Sequence, residues 1–216
     1  MNADPRIVRL IMELRQNGVS DTRVLSAIER VSREKFIPEQ IHAQAYDNIA
    51  LPIGEGQTIS QPLVVAAMTE ALEVDKTMKV LEVGTGSGYQ AAILAQLCRR
   101  VYTIERFRSL LEKAEAVFHE LGIRNITSRL GDGASGWPEV APFERIIVTA
   151  AAPEVPPALL DQLAEEGVMV IPLGKAYDAQ ELVRIYRTET GIETEPLMPV
   201  RFVPLVTEQK RTAQRM

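Results

Sequence analysis

A near-continuous apolar run, "MKVLEV", passes without a linker into "GTGSGYQ" and then into the helix-forming "AAILAQL". A short strand that enters a glycine-rich turn and leaves as a helix is the first half of a βαβ unit, and it restricts what can follow. The rest of the chain obeys that restriction. "VYTIE" reads as a second strand, "RSLLEKAEAVFHELG" as a helix closed by Gly122, "ITSRLGD" as a weaker third strand and "RIIVTA" as a fourth. "PPALLDQLAEEG" then reads as a helix and "VMVIPLG" as a fifth strand. Apolar strands alternating with helices require a mostly parallel sheet covered by helices on both faces, so the expected fold class is α/β and Rossmann-like. Strands near 181–187 and 200–206 are expected to extend one edge, giving seven in all.

Ahead of this pattern lie extra N-terminal helices. Asp4 is an N-cap before Pro5, and Ile7, Leu10, Ile11 and Leu14 mark one helical face that Gly18 ends. A second helix starts near Ser20 or Asp21 and buries Val24, Leu25, Ile28 and Val31; Pro38 breaks the chain before a short helix through Ile41. "PLVVAAMTEAL" is a further helix. Residues 1–216 are therefore expected to form a single domain, with N-terminal helices and a loop in 1–60 and the α/β core in 61–175. Edge strands follow in 176–207, and 208–216 make a loose polar tail.

With 216 residues and 46% hydrophobic content the chain can bury one good-sized core. No apolar run is long enough to cross a bilayer, the charged N-terminus does not read as a secretory signal, and the single Cys98 suits a reducing compartment. A cytoplasmic location and a monomer are expected. The formal charge of −5 and the scattered basic residues argue against a nucleic-acid partner. His42 and His119 lie far apart with no companion at ligand spacing, so no metal site is expected.

In an open parallel sheet, ligands sit beyond the carboxyl ends of the strands, which puts Gly84, Gly86 and Gly88 at the binding end of the first strand. Glu105 ends the second strand where an acid accepts hydrogen bonds from ribose hydroxyls. The dinucleotide fingerprint would need glycine at Tyr89, and no phosphate-binding G-x-x-x-x-G-K-[ST] loop occurs. Glu82 is unsuited to a pyrophosphate but suited to an ammonium. The pattern E-x-G-x-G-x-G resembles the first motif of S-adenosylmethionine-dependent methyltransferases with the Rossmann-like fold. That resemblance adds Thr85, Ser87 and Arg106 to the expected cofactor pocket. It also places Asp132 and Gly133 of "GDG" beside the adenine.

"LPIGEGQTISQP" sits just ahead of the cofactor strand, too rich in glycine and proline for a core element and too apolar for a linker. Together with "LEVGTGSGYQAAILAQL", "GDGASGWPEVAPFERIIVTAAAPEVPPALLDQL" and "VMVIPLG", it closely resembles the bacterial type of the protein-L-isoaspartate (D-aspartate) O-methyltransferase family. The resemblance runs from about Ile28 to Val206. It implies methyl transfer from S-adenosylmethionine to the free α-carboxylate of isoaspartyl residues in damaged proteins and peptides, with S-adenosylhomocysteine as product. It implies Ser60 as the active-site residue, Gln57 near the cofactor, and Thr58, Ile59 and Val206 at the substrate. Leu63 and Val65 stand where some relatives carry histidine, so no histidine role is carried over. The loop is expected to act as a flexible, glycine-hinged lid, with Ser60 orienting the substrate carboxylate, serving as an N-cap of the next helix, or both. The competing expectation is a methyltransferase of the same fold that acts on RNA or a small molecule.

Overall fold

The computed structural model describes residues 4–175 and 178–206. α1 (Pro5–Gln16) starts on Asp4, whose carboxylate accepts from the Arg6 N–H, and Pro5 occupies the first helical position, where its missing donor costs nothing. α2 (Thr22–Arg30) uses the same device, with Asp21 accepting from the Arg23 N–H. Two 3₁₀ turns, Arg33–Phe36 and Glu39–Gln44, lead to a hairpin of β1 (Leu51–Gly54) and β2 (Gln57–Ile59), and α3 (Pro62–Ala71) follows. Glu70 on α3 accepts from the Ser20 N–H at 2.8 Å and the Ser20 hydroxyl at 2.9 Å, which ties the opening helices to the body.

Seven strands make the main sheet: β3 (Lys79–Val83), β4 (Arg100–Glu105), β5 (Ile126–Leu130), β6 (Phe143–Val148), β7 (Leu163–Leu173), β8 (Gln180–Thr188) and β9 (Gly191–Val200). Their spatial order is β5-β4-β3-β6-β7-β8-β9. β5 through β7 run parallel, and β8 and β9 add an antiparallel edge. α4 (Tyr89–Ala95) follows β3, α5 (Arg108–Glu120) follows β4 and α6 (Pro157–Asp161) follows β6. The expected mostly parallel, seven-stranded α/β architecture is thus the observed one.

Alternation along the strands sorts the core into two halves. Val80, Val101, Ile147 and Val170 pack with α1 through α5 on one face. Leu81, Ile104, Ile146 and Met169 pack with α6, Trp137 and Val140 on the other. The first face carries most of the helices. Glu82, Thr103 and Glu105 share its strand phase, and this period of two aims their side chains at the same side of the sheet.

Two expectations need correction. The helix read from "PPALLDQLAEEG" stops at Asp161, and β7 begins at Leu163. Gln162 ends it: its backbone carbonyl accepts from the Phe143 N–H at 2.8 Å. Its side-chain amide accepts from the Trp137 N–H at 2.6 Å and donates to the Ser135 carbonyl at 2.9 Å. Those tertiary bonds outweigh the helical pattern of "LAEEG", which becomes an irregular stretch of strand. The last strand lies at Gly191–Val200, not at 200–206. It contains Pro196 and Pro199, which β9 accommodates as an edge strand, where a missing N–H can face outward without breaking the ladder. The expected tail from 208 on lies outside the described residues.

Gly88 has φ 89° and its missing Cβ would lie 2.7 Å from two ring atoms of Phe118 on α5. Gly18, at φ 96° with open space around it, isolates the backbone cost alone. Gly88→Ala is therefore expected to lose about 2 kcal/mol or more of unfolding free energy in urea titration, against roughly 1 kcal/mol for Gly18→Ala. Equal losses at the two positions would refute the close approach of α5 to this turn.

Candidate active site

From β3 the chain moves outward to β4, and from β6 it moves the opposite way to β7. The two strands are neighbours, so a crevice opens above their carboxyl ends where no connection crosses. The glycine loop and Thr149 meet there. The Thr149 hydroxyl lies 2.7 Å from the Gly84 carbonyl and 3.0 Å from that of Val83, to either of which it can donate. A Cβ on Gly84 would stand 2.4 Å from that hydroxyl oxygen, so only glycine allows the approach.

Glu105, at the end of β4 and almost fully buried, braces the loop from the side. One oxygen accepts from the Gly86 N–H at 2.8 Å; the other accepts from the N–H groups of Arg106 and Phe107 at 2.8 and 2.9 Å. Glu82 lies beneath the loop and is fully buried. Its Oε2 accepts a short hydrogen bond from the Thr103 hydroxyl directly across the β3–β4 pair, and Thr103 is in turn 2.6 Å from the Thr85 hydroxyl. Its Oε1 has no partner among the described residues. Burial pushes the Glu82 carboxyl up to about 8; the Thr103 hydrogen bond works against the rise and the nearby Glu105 charge adds to it.

The segment expected to be a flexible lid is a regular antiparallel hairpin, with Leu51 opposite Ile59 and Pro52 opposite Thr58. Its two-residue turn has φ 52° at Glu55 and 66° at Gly56, the positive pair that matches strand twist. Ile53 reaches down onto the glycine loop, its Cδ1 3.6 Å from where a Gly86 Cβ would be. The Ser109 hydroxyl of α5 donates to Glu55 at 2.7 Å and anchors the tip. Ser60 follows β2 directly. It is not the N-cap: Gln61 holds that position without a side-chain bond, and Asn48 Oδ1 instead accepts from the Leu63 N–H at 3.0 Å. The Ser60 hydroxyl has no hydrogen-bond partner among the described residues, and Ser60 lines the crevice.

The opposite wall comes from residues 203–206. The Ala151 N–H donates to the Val203 carbonyl at 2.8 Å and the Leu205 N–H to the Ala151 carbonyl at 2.7 Å. The buried amide of Gln180 exchanges hydrogen bonds with the Phe202 backbone at 2.6 and 3.1 Å. The whole segment is thereby held against the loop after β6.

The crevice therefore gathers Gln57, Thr58, Ile59 and Ser60 from the hairpin side, and Gly84, Thr85, Gly86 and Ser87 from the glycine loop. Glu105 and Arg106 enter from β4, Gly133 from the turn after β5, and Val206 from the C-terminal segment. Three expected residues are not on its wall. Glu82 lies underneath, Gly88 is packed against α5, and Asp132 caps the 3₁₀ turn Gly133–Ser135 by accepting from the Ala134 N–H at 2.9 Å. Sequence reasoning passed over Thr103, Thr149 and Arg33. Thr103 could have been found, because it lies two positions before Glu105 and so on the same strand face. Arg33 carried no local signal.

Because the Glu82 carboxyl titrates near 8 when folded and near 4.5 when free, the folded state binds the extra proton between those values. Its contribution to stability is fully present below about 4.5 and declines as pH rises through about 8. The unfolding free energy of Glu82→Gln relative to the parent is expected to grow from pH 5 to pH 8 and then level off. A pH-independent difference in urea titrations would contradict the buried, protonated carboxyl.

Comparison with known proteins agrees with this architecture. The family described as protein-L-isoaspartate(D-aspartate) O-methyltransferase matches residues 6–210. A protein-L-isoaspartate O-methyltransferase of Paramagnetospirillum magneticum is 63% identical over 205 residues, covering 94% of this chain and 96% of that one. Its counterpart in Rhodospirillum centenum is 58% identical over 216 residues, 100% of this chain and 98% of its own. Among solved structures, one named protein-L-isoaspartate O-methyltransferase superposes with a TM-score of 0.83 at 30% identity, covering 95% of this chain and 69% of the other. A Plasmodium falciparum protein assigned to the same activity, crystallised with S-adenosyl-L-homocysteine, gives 0.80 at 28% identity over 92% of this chain and 97% of its own. The chain belongs to the protein-L-isoaspartate(D-aspartate) O-methyltransferase family.

Proposed function

We propose that the protein transfers the methyl group of S-adenosylmethionine to the free α-carboxylate of L-isoaspartyl residues in damaged proteins and peptides, initiating their repair. The observation that carries this reading is the unengaged Ser60 hydroxyl in a crevice walled by the glycine loop on one side and residues 203–206 on another. A side chain left without a partner there is available to a ligand.

The residues present suit the donor. The glycine loop admits close approach, Glu105 Oε2, which among the described residues accepts only from the Gly86 N–H, can accept again from a hydroxyl, and Glu82 beneath the loop has an oxygen without a partner among the described residues. An ammonium-bearing ligand is the kind that would draw Glu82 toward its ionised form. Gln57, Thr85, Ser87, Arg106, Asp132 and Gly133 complete the set assigned to the donor; Thr58, Ile59 and Val206, with Ser60, are assigned to the acceptor. When bound, S-adenosylmethionine supplies an electrophilic methyl on a sulfonium.

The acceptor carboxylate, with an ordinary pKa near ~4, is ionised at neutral pH and needs no general base. What the chain must contribute is orientation and exclusion of water. Ser60 donates to one carboxylate oxygen and directs the other. The hairpin, with Ile53 seated on the glycine loop, roofs the crevice, and the small residue Ala150 leaves room beside it. Holding two reactants in register contributes roughly 7–11 kcal/mol toward lowering the barrier. Joining opposite charges in a dry site also avoids the stabilisation that water would give to the separated ions. Among the described residues no helix is long and apolar enough to cross a membrane; a cytoplasmic monomer without a nucleic-acid partner accompanies this reading.

With methyl-labelled S-adenosylmethionine, an isoaspartyl peptide is expected to take up label and its aspartyl twin is not. Label on both, or on neither, defeats the assignment. Ser60→Ala is expected to keep its thermal transition and lose about ten- to a hundredfold in kcat/KM, the worth of one hydrogen bond to a charged group. An unchanged rate would remove Ser60 from the acceptor site.

A further inference from the structure

Arg33 lies outside the crevice wall and has no exposed surface. Its guanidinium donates to the carbonyls of Ala45 at 2.6 Å, Ile49 at 3.1 Å and Ser60 at 3.0 Å. Its Nε has no partner among the described residues. Among the described residues no carboxylate pairs with it: Asp47 acts on it from a distance and pairs with Arg9 at 3.4 Å. The guanidinium lies 5.9 Å from the centre of the Tyr89 ring.

Burying a permanent cation without a counter-ion is costly, and carbonyl dipoles offset only part of that cost. Tying three loops together does not require a charge, since neutral amides do so elsewhere in this molecule, as at Gln162 and Gln180. What distinguishes Arg33 is its location. Two of its neighbours, Ser60, whose carbonyl it binds, and Tyr89, over whose ring it lies, line the crevice, and Arg33, itself off the wall, stands behind them. Glu105 and Glu82 put acidic groups under the glycine loop, and Arg33 puts the opposite charge behind the Ser60 wall.

We propose that Arg33 is a positioning residue for the acceptor carboxylate: it fixes the Ser60 peptide and holds an uncompensated positive charge behind the wall that receives that anion. The inference rests on the proposed transfer to an isoaspartyl carboxylate and adds a residue to it. Arg33 touches neither reactant. It acts through the Ser60 backbone and through the field of its charge, which little water screens at that depth.

The test compares the full-length parent with Arg33→Lys and Arg33→Met. It measures KM and kcat for an isoaspartyl peptide and, separately, the calorimetric Kd for S-adenosylhomocysteine. Arg33→Met is expected to raise the peptide KM by about tenfold or more. Arg33→Lys, which keeps the charge but not the fork, should fall between it and the parent. The S-adenosylhomocysteine Kd should stay within about threefold in both. An unchanged peptide KM in Arg33→Met overturns the proposal, as does a Lys variant no better than Met. So does a parallel loss of peptide and S-adenosylhomocysteine binding, or failure of both variants to fold, since each assigns Arg33 to the scaffold alone. A parent that methylates no isoaspartyl peptide fails the functional reading itself, a result visible before any variant is made.

Discussion

Neighbouring strands β3 and β6 send their chains in opposite directions, and the gap this leaves is where the rest of the molecule converges. The gap alone would be a shallow notch. It becomes a defined crevice because the Thr149 hydroxyl reaches the Gly84 carbonyl at 2.7 Å and Glu105 holds the Gly86 N–H at 2.8 Å. The first contact needs a backbone without a Cβ at Gly84, and both brace the glycine loop against strands buried on two faces. The loop is therefore rigid before any ligand arrives, which is what a site that works by orientation requires.

The N-terminal third and the C-terminal segment finish what the sheet begins. Arg33 and Asn48 bind the base of the hairpin, one through the Ser60 carbonyl and the other through the Leu63 N–H. Ser109 holds its tip through Glu55. Residues 203–206 are drawn over the crevice by Ala151 and Gln180 rather than by any sheet of their own. The hairpin is thus tethered at its base by part-buried bonds and at its tip by one exposed hydroxyl–carboxylate bond.

Burial of charge divides along the same lines. Glu82 is tolerated under the loop because it can hold a proton and share a hydrogen bond with Thr103. Arg33 has no such escape and relies on three carbonyls. Acidic groups sit below the glycine loop and a cation behind the hairpin base, so the crevice has an electrical direction as well as a shape.

Local sequence determined those features whose causes are local. The run "KVLEVGTGSGYQ" combines strand, turn and helix signals within a few residues, and the α/β order of the core follows from it. Asp4 and Asp21 mark helix starts for the same reason: a carboxylate two residues before an N–H needs nothing distant to bond it. Tertiary structure decided wherever a partner far along the chain competed with local preference. Gln162 ended α6 early because the backbone of residues 135–143 offered it better bonds, and β9 kept two prolines because its outer edge needs no donors. "LPIGEGQTISQP" became a hairpin because Ile53 and Ile59 could be buried beneath it, an outcome its own composition did not specify. Arg33 was illegible in sequence altogether, since its acceptors lie 12, 16 and 27 residues away and only the folded chain brings those carbonyls to one point.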